Sequence, residues 1–178
     1  DYLQQVSMES NGKNIDRNGE RVDYETGSII WGSTGTNAQH AFFQLMHQGT
    51  KIIPADFIAF KNTMNEDKLN NEILNSNFLA QTNALMKGSR PTTKDTHKNI
   101  EGNKPSTSIV INKLNPSNLG SLISIYENKI FTIGSILNIY SYDQWGVELG
   151  KSIAKDISSG IEEKLDESTK KLKHIFKS

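Results

Sequence analysis

The chain has 178 residues, 35% of them hydrophobic and 22% charged, which is typical of one well-packed globular domain rather than a disordered chain or a coiled coil. Its 20 Lys and Arg residues balance its 20 Asp and Glu residues, so it lacks the positive field that gathers nucleic acid or acidic membranes. It has no cysteine, and its apolar runs are far shorter than the roughly 20 residues that cross a bilayer, so we expect a reduced, cytoplasmic protein without membrane spans.

The chain begins at Asp1 with neither an initiator methionine nor a helix-capping sequence. We therefore expect a fragment that starts inside a helix, and this helix is predicted to end near Ser10. Asn18-Gly19 then predicts a tight hairpin turn between Ile15 and Val22.

Short runs rich in β-branched residues alternate with helical patterns along the next part of the chain. The predicted strands are residues 28–31, 51–58 and 106–111. The predicted helices are residues 37–48, residues 67–87 and a helix that starts at Asn115-Pro116. This alternation favours parallel strands with crossover helices, and so a three-layer, doubly wound α/β fold.

The predicted helix at 37–48 has an apolar stripe that we expect to face the core, formed by Ala38, Ala41, Phe42, Leu45 and Met46. His40, Gln44 and His47 fall on the opposite face. With no further signal, such residues are solvated polar side chains.

Four segments carry identities that an ordinary helix or loop does not require: MESNGK at 8–13, GTNAQHAFFQLMHQGT at 35–50, HKNIEGNKPSTSIV at 97–110 and GSILNIYSYDQWGVELGK at 134–151. Together, and in this order, they resemble the phosphoglucose isomerase family, up to about Ala154. The resemblance implies a sugar isomerase (SIS) fold with additional C-terminal helices, present here as a partial domain. Residues 1–160 would be the C-terminal part of the isomerase, its second sugar isomerase domain, and residues 161–178 a charged terminal helix or tail.

The resemblance also assigns roles to five residues. Glu9 matches the catalytic glutamate, in a position where Asn11 could help to hold its carboxylate, and Gln5 matches a substrate-contacting glutamine. His40 matches a histidine that enters the active site of the neighbouring subunit, which implies a homodimer. Lys151 is expected to be catalytic, with Gln144 supporting it from seven residues earlier on the same helix.

Lys151 also has an ordinary structural alternative, because Glu148 lies three residues before it. An exposed pair at this spacing is worth only a few tenths of a kcal/mol. Such a pair would not require the surrounding DQWGVELGK identities, so we favour a role for Lys151 in the site.

The implied reaction interconverts glucose 6-phosphate and fructose 6-phosphate through a cis-enediol, in glycolysis and gluconeogenesis. Glu9 would move the proton between adjacent carbons, while His40 and Lys151 would assist ring opening in an order that stays open. The scheme needs no cofactor or metal, and the ligand spacing of a metal site is not found around the histidines His40, His47, His97 and His174.

The same fold could also serve a noncatalytic, regulatory sugar-phosphate-binding module, which would need a pocket but neither Glu9 nor the ring-opening pair. Some family features are missing or altered. The Ser/Thr phosphate loop and an enediolate-stabilising arginine belong to an earlier part of the family's subunit, so we expect the fragment alone to be inactive. Residues 33–37 resemble a phosphate cradle, but a lone instance is weak, and Asn70-Asn71 departs from the family pattern.

Overall fold

The computed structural model describes residues 1–62, 67–90, 95–163 and 165–177. The chain forms two compact units: a first unit of Asp1–Ile29 and Lys129–Ser178, and a second unit of Ile30–Asn128. The helices and strands in chain order are α1 (Tyr2–Gln4), a π-helical segment (Gln5–Glu9), α2 (Gly35–Ala41), α3 (Phe43–Gln48), β1 (Ala55–Asn62), α4 (Lys68–Lys87), a 3₁₀ turn (Thr96–Lys98), β2 (Ser106–Lys113), α5 (Pro116–Ile136), α6 (Trp145–Ser158) and α7 (Glu167–Lys177). None of the helices in these ranges is long and apolar enough to cross a membrane.

The second unit contains a parallel pair of strands with a crossover helix, as the sequence predicts. β1 pairs with β2 in a register that runs from Ala55 opposite Ser106 to Asn62 opposite Lys113. Parallel strands cannot be joined by a tight turn, and α4 lies between these two in the chain. The mixed α/β class with a parallel sheet is confirmed. The strand predicted at 106–111 lies within β2, whereas β1 begins four residues later than the strand predicted at 51–58.

The predicted strand at 28–31 is wrong, because these residues form no strand in the structure. Ile29 is 80% exposed, and the ring of Trp31 instead meets the edge of Phe42 at a centroid distance of 6.1 Å. β-Branched composition favours a strand only where a partner strand and a packed face are available. The two strands β1 and β2 form the whole of the sheet that the described residues contain.

A break at Phe42 divides the predicted helix 37–48 into α2 and α3. Phe42 has φ of −136° and ψ of 0°, outside the helical region, so the following residues are rotated relative to α2. As a result Phe43 is buried in the core with Ala38, Met46 and Leu85, while Leu45 is 46% exposed. The predicted stripe is therefore correct for Ala38 and Met46 and wrong for Ala41 and Leu45, which are exposed.

The helices α4 and α5 begin close to their predicted starts, and each has a side-chain cap. Asp67 Oδ1 accepts a hydrogen bond of 3.0 Å from the amide of Asn70 at the start of α4. Asn115 Oδ1 accepts one of 2.8 Å from the amide of Asn118, with Pro116 at the first helical position of α5.

A tyrosine–carboxylate hydrogen bond between α5 and β1 gives this unit a predicted pH dependence. Tyr126 is 9% exposed, and its hydroxyl donates to Asp56 Oδ2 at 3.0 Å. Burial, then this hydrogen bond and the negative charge of Asp56, raise the pKa of Tyr126 from 10.0 to about 12. Because the folded state holds this proton more tightly, the contribution is complete below pH 10.0 and is lost as the pH rises toward about 12.

Replacing Tyr126 by Phe is expected to lower the free energy of unfolding by about 1 kcal/mol at neutral pH, because the hydrogen bond is lost. Above pH 10.0 the difference from the wild type should shrink. Asp56→Asn is the matched variant, since it keeps an oxygen acceptor but removes the negative charge. Without that charge the pKa of Tyr126 is raised less, so the stabilisation should be lost at a lower pH than in the wild type. Unfolding measured from pH 8 to 12 checks this, and identical curves for wild type and Tyr126→Phe contradict it.

The first unit contains the predicted hairpin, with Ile15 and Arg21 forming an antiparallel bridge around Asn18-Gly19. Gly19 has a positive φ of 86°, which a glycine adopts without strain. The carboxylate of Asp16 accepts hydrogen bonds from the amides of Asn18 and Glu20 at 2.8 and 2.9 Å, and from Asn138 Nδ2 at 3.1 Å. These donors, first of all the Glu20 amide, lower the pKa of Asp16. The bond from Asn138 also ties the hairpin to the chain that follows α5.

The charged terminal segment forms α7, and its apolar side chains are only partly covered. Leu165 is half-buried, whereas Leu172 is 53% and Phe176 is 88% exposed. An ion pair of 2.8 Å between Lys173 Nζ and Glu162 Oε1 connects the helix with the preceding turn.

Candidate active site

Glu9, the predicted catalytic base, ends the π-helical segment of the first unit. π-Helical turns are rare and are frequent at functional sites. The side chain of Glu9 is half-buried, whereas Gln5, at the start of the same segment, is exposed. The helix can stop here because the next turn is built around Gly12, where a Cβ atom would come within 2.5 Å of the Met8 carbonyl oxygen.

Asn11 connects the Glu9 segment with the chain before α6. Its Nδ2 donates to the carbonyl of Ile130 at 3.0 Å, and its Oδ1 accepts from Ser141 Oγ at 2.8 Å. Asn11 is 3% exposed, so both bonds are shielded from water. Gly134 gives them room, because a Cβ there would lie 2.0 Å from Ser141 Oγ. We expected Asn11 to help hold the Glu9 carboxylate; its amide instead holds the backbone that carries Glu9.

Replacing Asn11 by Ala is expected to destabilise the protein by about 2 kcal/mol, because it leaves buried polar partners without their hydrogen bonds. Asn83→Ala, at an exposed position of α4, is the matched control and should stay within about 0.5 kcal/mol of wild type. Denaturant unfolding of both variants measures the difference. Equal stability of the two variants would refute the anchoring role of Asn11.

The two connected segments line one open cavity of about 770 Å³. Glu9 and Lys13 contribute from the first segment, and Asp143, Gln144 and Trp145 from the second. Gln144 is the residue immediately before α6, so it stands at the start of that helix rather than within it. The volume lies in the range of small-molecule sites. The structure thus brings Glu9 and Gln144, two of the predicted site residues, to the same cavity.

Lys13 is the cation of this cavity. Its ammonium donates to the carbonyl oxygens of Glu9 and Ser10, at 2.7 and 2.9 Å. Burial lowers the pKa of Lys13, while the negative charges of Asp143 and Glu9 act in the opposite direction. The wall that carries Glu9 therefore combines a cation with two nearby carboxylates.

Lys151 stands two turns into α6 and pairs with Glu148, at 2.7 Å between Nζ and Oε1. Its side chain is 62% exposed, and it is not among the residues that line the cavity. The ordinary pairing of Lys151 that we considered from the sequence is thus present in the structure. A smaller concavity of about 260 Å³ reaches from Gln144 to Glu148, the partner of Lys151.

His40 lies in the last turn of α2 and is exposed. It belongs to the second unit, whereas Gln5, Glu9, Gln144 and Lys151 all belong to the first. His47 differs from it, because it is half-buried, with Nε2 2.9 Å from Gln81 Oε1 and its ring against Phe43. These contacts give His47 a structural role within the second unit.

Among the described residues, no three His, Cys, Asp or Glu side chains come together in a way that could hold a metal ion. The cavity offers carboxylates, amide groups and a cation, a set that suits proton transfer on a polar substrate.

Comparison with known protein families identifies the family of this chain. Residues 1–174 match the family described as phosphoglucose isomerase. The chain belongs to this family. It is 52% identical to glucose-6-phosphate isomerases from Christiangramia forsetii and from Wigglesworthia glossinidia brevipalpis, over 99% and 89% of its own length. A crystal structure of a glucose-6-phosphate isomerase from Chlamydia trachomatis is 39% identical over 98% of the chain, with a TM-score of 0.85.

The chain spans about a third of the length of these relatives, namely 36%, 31% and 34%. Because the Chlamydia trachomatis structure is alike over nearly the whole chain, the sugar isomerase fold with additional helices is confirmed as a partial domain.

Our reading of the sequence missed Lys13, Asp143 and Trp145 as parts of the cavity wall. All three lie inside the segments that resemble phosphoglucose isomerases, MESNGK and DQWGVELGK. The available signal was their fixed identity next to Glu9 and Gln144, at positions where a helix end or an amphipathic helix accepts many residues.

Proposed function

We propose that the protein to which this chain belongs is an aldose–ketose isomerase that interconverts glucose 6-phosphate and fructose 6-phosphate. The observation that carries the proposal is the common cavity of Glu9 and Gln144, in a chain whose curated relatives are named glucose-6-phosphate isomerase. As a glycolytic and gluconeogenic enzyme it would act in the cytoplasm, which suits a sequence without cysteine.

Glu9 acts as the base of the reaction. Its carboxylate takes the proton from C2 of the open-chain aldose while the C1 oxygen gains a proton, which gives a cis-enediol. The carboxylate then returns its proton to C1 while the C2 hydroxyl loses its proton, which gives the ketose. A carboxylate can do this in both directions, because it needs only to reach two adjacent carbons on one face of the intermediate.

His40 and Lys151 open the sugar ring before this step, one giving and the other taking a proton at the ring oxygen and the anomeric hydroxyl. Gln5 and Gln144 bind the sugar hydroxyls. The proposal includes a homodimer in which His40 reaches the site of the neighbouring subunit, and its exposed position on α2 leaves it available for such a contact. For Lys151 to act, its ammonium must leave the exposed pair with Glu148, which costs only a few tenths of a kcal/mol.

The test of this function is isotope exchange, carried out with the protein expressed from its complete reading frame. In heavy water, fructose 6-phosphate should be converted to glucose 6-phosphate that carries deuterium at C2, as seen by proton NMR. Binding of sugar phosphate without conversion or labelling would contradict the proposal and favour the regulatory binding module.

A further inference from the structure

Lys13 occupies an unusual place for a lysine. It lies two residues beyond the end of the helix that carries Glu9, and its side chain folds back so that Nζ bonds to the carbonyl oxygens of Glu9 and Ser10, at 2.7 and 2.9 Å. These oxygens belong to the last turn of the helix, where the carbonyl groups have no partner of their own and carry partial negative charge. Lys13 thus supplies a cap to the turn from which the Glu9 side chain projects.

The same ammonium lies among carboxylates. Glu9 and Asp143 both interact with it electrostatically, and all three residues line the cavity of about 770 Å³. The other titratable groups on the cavity wall are Asp16 and Tyr140. Without a cation, two carboxylates on one wall would disfavour each other's charged form.

We propose that Lys13 is a positioning residue for the isomerase reaction: it fixes the helix end that carries Glu9 and balances the charges of Glu9 and Asp143. This inference rests on the proposed function, because it assumes that Glu9 is the base. Lys13 acts on the reaction through Glu9 rather than through its own contact with the sugar. The base is then held at one angle before substrate arrives.

An ordinary capping lysine would stabilise the helix end without affecting the protonation of Glu9. The two roles differ in pH dependence. If the charge of Lys13 matters, its removal makes Glu9 harder to ionise, and the acidic limb of the pH–rate profile moves to higher pH. Neutralising Asp143 should move the limb in the opposite direction.

The experiment compares three variants of the protein expressed from its complete reading frame. Lys13→Met keeps the length of the side chain but removes its charge and its hydrogen-bond donors. Lys13→Arg keeps the charge and the donors. Lys155→Met is the control at an exposed lysine of α6. For Lys13→Met we expect kcat to fall about 10- to 100-fold, with KM changed much less and the acidic limb at higher pH. Lys13→Arg should keep the wild-type limb and most of kcat, and Lys155→Met should match the wild type.

A further variant keeps the proposal testable if Lys13→Met folds poorly. Asp143→Asn alone should move the acidic limb to lower pH, and adding it to a folded Lys13→Met protein should return the limb toward its wild-type position. An unchanged limb in Asp143→Asn would overturn the charge-balancing role.

Amide hydrogen exchange separates this inference from the proposed function. Exchange at residues 5–12 should be faster in Lys13→Met than in Lys155→Met, whether or not the protein turns over sugar phosphates. If exchange there is unchanged, the positioning role is wrong. A wild-type protein that fails to label C2 would overturn the function, while the exchange result still decides the role of Lys13 in holding the helix end.

Discussion

Glu9→Gln is expected to lower the rate of deuterium labelling at C2 by about two to four orders of magnitude. Glutamine is close to glutamate in size and can keep similar hydrogen bonds, but it cannot accept and return a proton. KM should change little, because the amide still fits the cavity wall. The measurement is the initial rate of C2 labelling of glucose 6-phosphate in heavy water, with the protein expressed from its complete reading frame.

The control for this variant is Glu72→Gln, the same replacement at an exposed position of α4 in the second unit. Its labelling rate should equal that of the wild type. Normal labelling by Glu9→Gln would remove Glu9 as the base. Equal losses in the two variants would mean that the effect is not specific to the site.

The elements that could be predicted from the sequence are those fixed by local chemistry. Asn18-Gly19 predicts its hairpin because glycine accepts the positive φ of the turn. Asp67 and Asn115 predict helix starts because their side-chain oxygens reach amide groups only three residues ahead. In each case the partners are close in the chain, so the pattern contains the whole interaction.

The parts that could not be predicted depend on partners far away in the chain. Asn11 bonds to Ile130 and Ser141, which lie 119 and 130 residues later. Its role as an anchor therefore cannot be read from the Asn-Gly pattern that precedes the hairpin. The break at Phe42 likewise brings Phe43 into the core beside Leu85, and an ideal helical period across it misplaces the core.

The candidate site shows the same division. Glu9 and Gln144 were found from their resemblance to family motifs, and the structure places both on one cavity. Lys151 was proposed on the same grounds, yet in the structure it pairs with Glu148. Its role in ring opening therefore stays a prediction, as does that of His40, and each needs a test that reports on the assembled enzyme.

Hybrid dimers provide that test for His40. A symmetric dimer has two equivalent sites, and in our proposal each site combines Glu9 of one subunit with His40 of the other. If a Glu9→Gln subunit pairs with a His40→Gln subunit, one site contains both replacements and the other contains neither. A purified hybrid should therefore recover about half of the wild-type activity per dimer, although both parent homodimers are nearly inactive.

The hybrid can be isolated by placing a different affinity tag on each subunit and purifying over both tags, which also shows whether a dimer forms. The matched control pairs Glu9→Gln with Lys151→Gln. Glu9 and Lys151 belong to the same unit of the chain, so we assign both to the site of the same subunit, and this hybrid should stay inactive. An inactive Glu9→Gln/His40→Gln hybrid would place His40 in the site of its own subunit. Recovery in both hybrids would instead move Lys151 to the neighbouring subunit's site, because only residues from different subunits can complement each other in this way.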